Sequence, residues 1–344
     1  MVASAGGDRG DFVINGDMID GVTANDDLNE GAGRCGARAR ISAIVVSYFT
    51  GPVLGRCLDA LRRQDGVCEV ILVDNGNPDG VVKAAIGDTG APTPVKLVSG
   101  HGNVGFATAC NLGARAASGD VLLFVNPDAV MPPGGAARLA ADGAAKGGAW
   151  LIGAKIVDPD GAEQRGSRRA TLTPWRAFVE ATKLYRFAPK HPYFRRFNLH
   201  GDPCPDDVIA LPVISGACFM TPKNDYFALG GMDERYFLHV EDVDFCLRFR
   251  AAGGRVFFDP HVSVLHYKSS SRVDPLFVEM RKTASMLRYF RTHFSEVYPA
   301  PFMWMVAAVA WMQFGVLAAF KILRRIFVPW RVFVRRARAS VTRR

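Results

Sequence analysis

The order of apolar segments between residues 40 and 128 constrains this chain more than any other feature of its sequence. Four short runs rich in Val, Ile and Leu alternate with segments whose apolar residues recur at helical spacing. The strand-like runs are "RISAIVVSYF", "EVILVDNG", "VKLVSG" and "DVLLFVNPD", and the helical segments are "GPVLGRCLDALRRQ" and "FATACNLGARAA". Strands that are apolar on both faces and alternate with helices predict an α/β fold with a mostly parallel sheet flanked by helices.

Composition divides the chain into three parts. Residues 1–40 are rich in Gly, Asp and Asn and carry seven acids against four arginines, which predicts a disordered or loosely attached leader. Residues 41–295 hold the alternating pattern and are expected to be globular. The formal net charge is +9, but the last 24 residues alone hold nine Lys or Arg and no acid. Residues 296–344 therefore form an apolar and basic tail, which is typical of segments that bind anionic lipid or nucleic acid.

The apolar part of this tail is the uncharged run "FMWMVAAVAWMQFGVLAAF" at residues 302–320, which is long enough to cross a bilayer. Arginines and lysines lie on both sides of it, and such residues are typical of the cytoplasmic side. This symmetry favours an interfacial or re-entrant helix, with Trp304, Trp311 and Trp330 in the headgroup zone. A true membrane span and a helix buried in a soluble core are the alternatives.

The cysteines and the N-terminus indicate a reducing, cytosolic environment. The seven cysteines are scattered, odd in number and form no C-x-x-C pair, so neither a disulfide framework nor a structural zinc site is expected. The first residues, "MVASAGGDRGDF", lack a basic segment followed by an apolar one, so no signal peptide is expected.

Polar residues follow three of the predicted strands at the point where each strand ends. Ligands of parallel sheets bind at the carboxyl ends of strands, so these residues are expected to face one crevice. The three clusters are Ser47 with Tyr48, Asp74 with Asn75, and Asn126 with Asp128. The loop "HGNVGFATACNLG" adds Asn103, Gly105 and Asn111, and it runs into a helix whose first N–H groups could receive phosphate.

Each candidate in this crevice also has a structural explanation. Asp74 could bind a nucleobase or ribose, but the segment "DNGNPDG" is equally typical of a turn. Asp128 could hold a divalent cation that bridges a diphosphate, or it could close a turn after Pro127. His266 ends the apolar segment "VSVLH" and could complete such a metal site if it lies near Asp128, or it could be structural.

Three acids, Glu241, Asp242 and Asp244, crowd into the segment "FLHVEDVDFCLRF". A helix start explains one or two of them, because acids there complement the helix macrodipole and cap N–H groups. It does not explain three carboxylates that repel one another. The alternative is a general base that removes a proton from a hydroxyl, with neighbours that bind adjacent hydroxyls of a polar substrate.

Taken in order, these segments resemble the family 2 glycosyltransferases, and especially the bacterial rhamnosyltransferase-like branch. The resemblance covers about residues 41–270 and is carried by "VVSYF", "LVDNGNPDG", "GNVGFATACNLG", "LLFVNPDAVM", "ISGACFM" and "GGMDERYFLHVEDVDFCLRFRAAGGRVFFDPHVSVLHY". It implies a GT-A fold. Its Rossmann-like nucleotide-binding half would be residues 41–135 and its acceptor half residues 136–295, followed by a membrane-associated apolar helix.

The resemblance implies roles for individual residues on the donor side. Asp74 matches the acid that contacts a pyrimidine base, in a pocket lined by Ser47 and Tyr48. The residues expected at the nucleotide-sugar site are Ser47, Tyr48, Asp74, Asn75, Asn103, Gly105, Asn111 and Asn126.

The resemblance also implies a metal site and a base. The segment Asn126-Pro127-Asp128 stands where the family carries a metal-binding D-x-D, with Asn in place of the first acid. Asp128 would then be the main carboxylate ligand of Mn²⁺ or Mg²⁺, and His266 would complete the site. Asp242 matches the catalytic base, and Glu241 lies beside it toward the acceptor.

The function that the resemblance implies is an inverting, metal-dependent transfer of a sugar from a nucleotide donor to a saccharide acceptor. Rhamnose from dTDP-rhamnose is the first candidate, and a UDP-hexose or UDP-N-acetylhexosamine is the second. The acceptor is expected on a polyprenyl diphosphate carrier at the cytoplasmic face of the plasma membrane, in the synthesis of cell-surface polysaccharide. The apolar helix and the basic tail would hold the enzyme at that surface.

Three other functions are weighed against this one. A sugar nucleotidyltransferase needs a glycine-rich basic loop after the first strand, which "VVSYFTGPVLGRCL" lacks. A non-catalytic nucleotide-sugar-binding membrane scaffold would have no need for Asp128, Glu241, Asp242 and His266 together. Nucleic-acid binding by the tail would require a second basic, aromatic surface, which only residues 165–197 offer, so no nucleic-acid partner is expected.

Overall fold

The computed structural model describes residues 39–87, 90–188, 191–268 and 273–341, so most of the predicted leader lies outside the described residues. The strands are β1 (Ile41–Ser47), β2 (Val67–Asp74), β3 (Val95–Val98), β4 (Val121–Val125), β5 (Ala129–Val130), β6 (Trp150–Val157), β7 (Arg168–Arg169), β8 (Ile209–Ala210), β9 (Val213–Ile214), β10 (Cys218–Pro222) and β11 (Arg255–His266). The helices are α1 (Val53–Arg62), α2 (Val81–Ile86), α3 (Phe106–Ala116), α4 (Gly135–Ala144), α5 (Pro174–Thr182), α6 (Lys223–Ala228), α7 (Glu241–Ala251), α8 (Pro275–Phe294) and α9 (Ala300–Val341).

A single sheet runs through the centre of the molecule in the order β3-β2-β1-β4-β10-β6-β11-β5, with β8 paired to β11. The strands β3, β2, β1 and β4 are mutually parallel, and β6 and β11 run in the same direction. The strands β10, β5 and β8 run against them. The predicted α/β class with helices flanking a central sheet is confirmed, and its antiparallel strands all lie beyond β4.

The sheet is buried on both faces, which explains the unbroken apolar runs in the sequence. Along β1, Ile44 and Val46 pack with α3, α7 and α8, whereas Ala43 and Val45 on the opposite face pack with α1, α2 and α4. A strand with only one buried face would alternate apolar and polar residues. The predicted strands and helices up to β4 therefore have the positions that the sequence indicated.

One apolar segment is interrupted. The run "VISGACFMT", whose composition is typical of a single strand, divides into β9 and β10 around Ser215 and Gly216. The backbone N–H of Gly216 points to the carboxylate of Asp242 at 2.9 Å instead of to a neighbouring strand. β9 pairs with β7 in a separate two-stranded sheet, and β10 enters the central sheet between β4 and β6.

Residues 163–210, which the sequence left without a function, form β7, α5 and two 3-10 turns that pack beside α9. Trp175 of α5 stacks on Phe178 and also packs against the rings of Tyr193 and Phe302. The amide of Gln313 on α9 donates to the Ala181 carbonyl at 2.9 Å. An aromatic layer therefore joins the start of α9 to α5 and the turn that follows it.

Within the described chain, one helix is long and apolar enough to cross a membrane. It covers Ala300–Leu323, with a mean hydropathy of 1.8, and only 11% of its most apolar window is buried. Large apolar side chains such as Trp304, Met312 and Phe320 are more than 60% exposed. This segment therefore is not the helix of a soluble core, which was one of the three alternatives.

Candidate active site

The polar ends of β1, β2 and β4 lie at one edge of the sheet, as the sequence indicated. Ser47 is directly opposite Asp74 in the β1–β2 register, and the N–H of Asn75 donates to the Ser47 carbonyl at 2.9 Å. Val45 pairs with Val125, so Asn126 begins immediately beyond the same edge. The crevice is therefore built by three neighbouring parallel strands, where ligands of α/β folds bind.

Asp74 forms the turn that its sequence context indicated. Its Oδ1 accepts hydrogen bonds from the backbone of Gly76 and Asn77 and from the Asn77 side-chain amide, at 2.7–3.1 Å. Its other oxygen, Oδ2, accepts no hydrogen bond in the described part of the chain. The turn and the contact with a nucleobase are therefore compatible, because each uses a different oxygen. The Asn77 amide also donates to the carbonyl of Ser47 at 2.9 Å, which fixes the end of β1.

Asn75 attaches the loop before α3 to this edge. Its amide donates to Asn103 Oδ1 at 3.0 Å and accepts from the Val104 N–H at 3.1 Å. Gly105 has a φ of +87°, and a Cβ there would lie 2.7 Å from the carbonyl oxygen of Phe237. No side chain fits, because the segment before α7 rests directly on the start of α3. The same carbonyl accepts the first N–H of α3, from Phe106, at 2.8 Å.

Asn111 lies away from the crevice, inside the fold. It is 3% exposed, and its amide nitrogen donates to the Met232 carbonyl and to Glu234. Its oxygen accepts from the Tyr226 hydroxyl and from the Met232 N–H. All of its hydrogen-bonding groups are thus used by the protein. The geometry favours a structural role for Asn111 over the nucleotide contact expected from the sequence.

Asp128 and His266 come together from distant parts of the chain. The Nε2 of His266 lies 3.0 Å from Asp128 Oδ1 and 3.3 Å from the amide nitrogen of Asn126. The antiparallel pairing of β5 with β11 sets this contact, since His266 is directly opposite Ala129. Both side chains are largely buried. The condition that the sequence set for His266, that it lie near Asp128, is met.

Gln164 holds this histidine, and nothing in the sequence pointed to it. Its amide nitrogen donates to Asp158 at 2.7 Å and to the His266 carbonyl at 2.6 Å, so its oxygen must be the acceptor for the Nδ1–H of His266 at 2.9 Å. We assign this tautomer from the hydrogen-bond network. It leaves the lone pair of Nε2 directed at Asp128, as a metal-binding histidine requires.

These residues fit a divalent cation with few protein ligands. Groups of three or more His, Cys, Asp or Glu that could hold a metal are absent from the described residues. A carboxylate oxygen and an unprotonated imidazole nitrogen 3.0 Å apart repel each other unless a cation or proton is shared. Two ligands in adjacent positions of an octahedral ion, each at about 2.1 Å, lie about 3.0 Å apart. Mn²⁺ and Mg²⁺ accept such pairs and complete their shells with water and phosphate.

Asp242 is held on three sides at the start of α7. Its Oδ2 accepts from Arg169 Nη2 at 2.5 Å and from the Gly216 N–H at 2.9 Å, and its Oδ1 accepts from the Val243 N–H at 2.8 Å. Burial alone would raise the pKa of Asp242, but the guanidinium of Arg169 and the two backbone donors outweigh it and lower the pKa below its usual range. Asp242 is therefore a fixed, ionised carboxylate.

Glu241, its neighbour, faces a different environment. It is 7% exposed, and its Oε2 has no hydrogen-bond partner within the described chain. Burial, followed by the charge of Asp242, raises the pKa of Glu241 to about 8. Burial, followed by the charge of Glu241, raises the pKa of the Cys110 thiol, so the Glu241 carboxyl lies near the part of α3 that carries Cys110. The two adjacent acids thus have opposite ionisation tendencies.

Asp244, the third acid, is a structural residue. It is fully buried and binds Arg248 Nε at 2.6 Å, His293 Nε2 at 2.6 Å and the Tyr236 hydroxyl at 3.3 Å. Arg248 also donates to the carbonyls of Leu229 and Gly231. Asp244 therefore joins α7 to α8 and to the preceding loop. The three crowded acids thus have three different environments, and the hydrogen bonds of Asp244 are made within the fold.

The backbone before α7 is strained. His239 and Val240 have φ values of +66° and +74°, in the left-handed region that non-glycine residues rarely adopt. Such a conformation costs of order 1–3 kcal/mol per residue and is often found at functional sites. Here it turns the chain sharply, so that Glu241 and Asp242 emerge in different directions at the first turn of α7.

A single dipeptide connects the candidate base to the candidate metal site. The N–H of Gly216 donates to Asp242, and the carbonyl of the next residue, Ala217, accepts from the Asn126 N–H at 2.9 Å. Asn126 in turn contacts His266. Hydrogen bonds through one dipeptide therefore connect the Asp242 carboxylate to the Asp128–His266 pair.

Comparison with known proteins identifies the family to which this chain belongs. The model of the family described as "Glycosyl transferase family 2" matches residues 42–206. An N-acetylglucosaminyl-diphospho-decaprenol L-rhamnosyltransferase of Mycobacterium tuberculosis is 30% identical over 246 residues, which cover 67% of this chain and 77% of that protein. The O-antigen biosynthesis protein RfbC of Myxococcus xanthus is 27% identical over 245 residues, although the match covers only 17% of its length.

Two solved structures share the fold. A mannosyltransferase from Pyrobaculum calidifontis, in complex with GDP-Man and Mn²⁺, has a TM-score of 0.51 and 16% identity, with 86% of this chain and 83% of that chain covered. GalNAc-T7, with UDP, GalNAc and Mn²⁺, has a TM-score of 0.52 and 16% identity, with 75% of this chain covered. This chain spans about half of that structure, at 48%. The chain has the GT-A fold and belongs to the family 2 glycosyltransferases, in their rhamnosyltransferase-like branch.

Proposed function

We propose that this chain transfers a sugar, with rhamnose from dTDP-rhamnose as the first candidate, to a saccharide carried on a polyprenyl diphosphate. The observation that carries the proposal is the dipeptide bridge of Gly216 and Ala217, which sets Asp242 beside the Asp128–His266 pair. The name of the mycobacterial relative supports both the sugar and the class of acceptor. The product would be a lipid-linked precursor of cell-surface polysaccharide.

The proposed reaction is a single inverting displacement. Asp242 accepts the proton of the acceptor hydroxyl, and that oxygen attacks the anomeric carbon of the donor as the bond to the nucleoside diphosphate breaks. The backbone N–H groups of Gly216 and Val243 orient the Asp242 carboxylate for this step. A positioned general base contributes about 10²–10⁴-fold in rate.

Asp128 and His266 would hold the divalent cation, and Gln164 would keep His266 in the required tautomer. When bound, the cation supplies positive charge for the departing diphosphate. On the donor side, Asp74 Oδ2 would accept from the base, while Ser47, Tyr48, Asn75, Asn103, Gly105 and Asn126 would shape the surrounding pocket. These donor contacts are proposed because the ends of β1, β2 and β4 lie at the same edge of the sheet.

The exposed face of α9 supports attachment to the cytoplasmic face of the plasma membrane. Its apolar residues are accessible to lipid, and its start packs against the acceptor side through Trp175 and Phe302. The sequence that follows is strongly basic, and basic residues near an apolar helix bind anionic lipid. A lipid-linked acceptor would thereby be presented directly to the side of the fold that carries Arg169 and Asp242.

A thermal-shift screen tests the donor. Purified protein is mixed with dTDP-rhamnose, UDP-glucose, UDP-N-acetylglucosamine or GDP-mannose, with and without Mn²⁺ or Mg²⁺. A ligand at about 100 times its dissociation constant stabilises the folded state by roughly 2.7 kcal/mol, so we expect a clear, metal-dependent shift with dTDP-rhamnose. A shift with a UDP-sugar and none with dTDP-rhamnose would identify the UDP-sugar as the donor. Donor binding without any transfer to a lipid-linked saccharide would favour a non-catalytic scaffold.

Flotation with vesicles tests the membrane attachment without removing α9, whose loss would expose the core. Replacing Trp304, Met312 and Phe320 by Gln should release the protein from vesicles of anionic phospholipid. Val306→Ala, on the buried side of the same helix, is the matched control and should leave flotation unchanged. Full flotation of the triple variant would contradict the attachment through this face.

A further inference from the structure

Arg169, on β7, has hydrogen-bonding groups that the fold does not use. Its Nη2 donates to Asp242 at 2.5 Å and to the Ile214 carbonyl at 2.8 Å. Its Nε–H is buried and has no partner among the described residues, and its guanidinium carbon lies 5.8 Å from the centre of the Phe197 ring. A guanidinium offers five N–H donors in one plane, an arrangement that suits phosphate oxygens.

The adjacent Arg168 shows what a structural arginine looks like in the same strand. It forms a two-point ion pair with Glu163, at 2.8 and 2.9 Å, and donates to the carbonyls of Asp202 and Pro203. Its side chain is 5% exposed, whereas that of Arg169 is 12% exposed. The fold thus provides hydrogen-bond partners along the guanidinium of Arg168. The guanidinium of Arg169, which contacts the proposed base, keeps a buried N–H without a partner among the described residues.

The chemistry of the proposed acceptor explains this difference. In an acceptor with one sugar on the diphosphate, such as the one in the name of the mycobacterial relative, the diphosphate is attached to the same sugar ring that carries the attacking hydroxyl. When Asp242 accepts the proton of that hydroxyl, the first phosphate must therefore lie close to Asp242. Arg169 is the cation in direct contact with Asp242, so it is within reach of that phosphate.

Building on the proposed function, we infer that Arg169 binds the diphosphate of the acceptor and transfers its Nη2 hydrogen bond from Asp242 to a phosphate oxygen. Arg169 would then recognise diphosphate-linked saccharides and would release the base only when such an acceptor is bound. A neutral glycoside would leave Arg169 on Asp242 and would be a poor acceptor. The specificity for a lipid-linked substrate would in part reside in this residue.

The charges around Asp242 are consistent with this exchange. Glu241 and Cys246 on α7 and His239 in the preceding turn interact with its charge, besides Arg169 from β7. Arg169 and the two backbone donors lower the pKa of Asp242, as described above. Departure of Arg169 would remove the positive charge that lowers the pKa of Asp242, so Asp242 would become a stronger base when the acceptor is bound.

The test compares two acceptors and two variants in the full chain. The acceptors are a short-chain N-acetylglucosaminyl diphosphate lipid and the octyl glycoside of N-acetylglucosamine. The variants are Arg169→Gln and, as a control, Arg165→Gln, which removes an exposed arginine that pairs with Glu180. Binding of each acceptor is measured by calorimetry, and kcat and KM are measured for transfer.

We expect Arg169→Gln to weaken binding of the diphosphate acceptor by about 10- to 100-fold, the effect of losing a charged hydrogen bond, and to leave binding of the octyl glycoside unchanged. Arg169→Lys should recover part of the loss, and Arg165→Gln should match the wild type. Equal losses for both acceptors would overturn the inference, since Arg169 would then only support Asp242. Calorimetry measures acceptor binding even if none of the donors in the screen is used for transfer. The proposed transferase function and the proposed role of Arg169 can therefore fail separately.

Discussion

The donor side and the acceptor side of the proposed active site are built in opposite ways. On the donor side, Asp74 is partly exposed and its turn comes from the next three residues of the chain. On the acceptor side, Asp242 is held by Arg169 and Gly216, which are 73 and 26 residues away in the sequence. The turn at Asp74 is therefore a local structure at the end of a regular sheet, whereas the acceptor side, like the Asp128–His266 pair, depends on the tertiary fold.

This difference separates the expected effects of mutations. Residues at the sheet edge can be changed with a loss of donor affinity and little loss of stability, because their contacts are local or exposed. Residues around α7 carry buried charges, and removal of one partner of a buried pair costs more than the pair contributed. Changes there should affect turnover or stability while donor affinity is kept.

The largest effect is expected for Asp242→Asn. The amide has the same shape but cannot accept a proton at a useful pKa, so kcat should fall by about 10²–10⁴-fold. Donor affinity, measured by calorimetry with Mn²⁺, should stay within about twofold of the wild type. A thermal melt serves as the control for folding. Wild-type turnover in this variant would remove Asp242 from the role of base.

Asp244→Asn should affect stability instead of chemistry. It removes the charge that Arg248 and His293 share in the core, and a broken buried ion pair costs about 3–5 kcal/mol. Urea unfolding is the measurement. At a temperature where the variant is folded, its kcat should be close to that of the wild type. A large loss of kcat in the folded variant would mean that the third acid also takes part in the reaction.

Removal of the proposed metal ligands should weaken donor binding only when a cation is present. Asp128→Ala should abolish the dependence of donor affinity on Mn²⁺. Gln164→Ala, which releases Nδ1 of His266, should weaken Mn²⁺-dependent affinity by about 10–100-fold, as expected for residues that orient a ligand. Asp158 contacts the same glutamine but not the histidine ring, so Asp158→Asn should have little effect on Mn²⁺-dependent donor affinity. Equal losses with and without Mn²⁺ would contradict the ligand roles.

The smallest effect is expected for Glu241→Gln, and it depends on pH. Because the pKa of Glu241 is raised to about 8 in the folded state, the folded state binds a proton that the unfolded state releases above its ordinary value of 4.5. Stability should therefore fall as the pH rises from about 4.5 to 8. Glu241→Gln removes this loss, so its melting temperature should exceed that of the wild type by several degrees at pH 8 and match it near pH 4.5. Parallel pH curves for both proteins would contradict the buried, protonated state of Glu241.

The donor side could be predicted from the sequence because its information is local. A buried strand followed by a polar residue places that residue at the sheet edge, and this was sufficient for Ser47, Asp74 and Asn126. Asn111 shows the limit of this argument. A polar residue on α3 matched the motif, but its position on the inner face of the helix lets Tyr226 and Met232 use all of its hydrogen bonds.

The acceptor side could not be predicted because its contacts join distant residues. Nothing in "RGSRR" distinguishes Arg168 from Arg169, and only the fold shows that one meets Glu163 and the other meets Asp242. Gln164, on the donor side, was missed for the same reason, because its role depends on a histidine 102 residues away. The break between β9 and β10 has the same origin, since the N–H that interrupts the strand is bound by a carboxylate from α7.

The most direct test of this account is a calorimetric titration of the donor selected by the thermal-shift screen, with Mn²⁺, into the wild type, Asp128→Ala and Asp242→Asn. The account predicts that Asp128→Ala loses donor affinity and that Asp242→Asn retains it while losing transfer. Loss of donor affinity in both variants to a similar degree would contradict the division of the site into a donor side and an acceptor side.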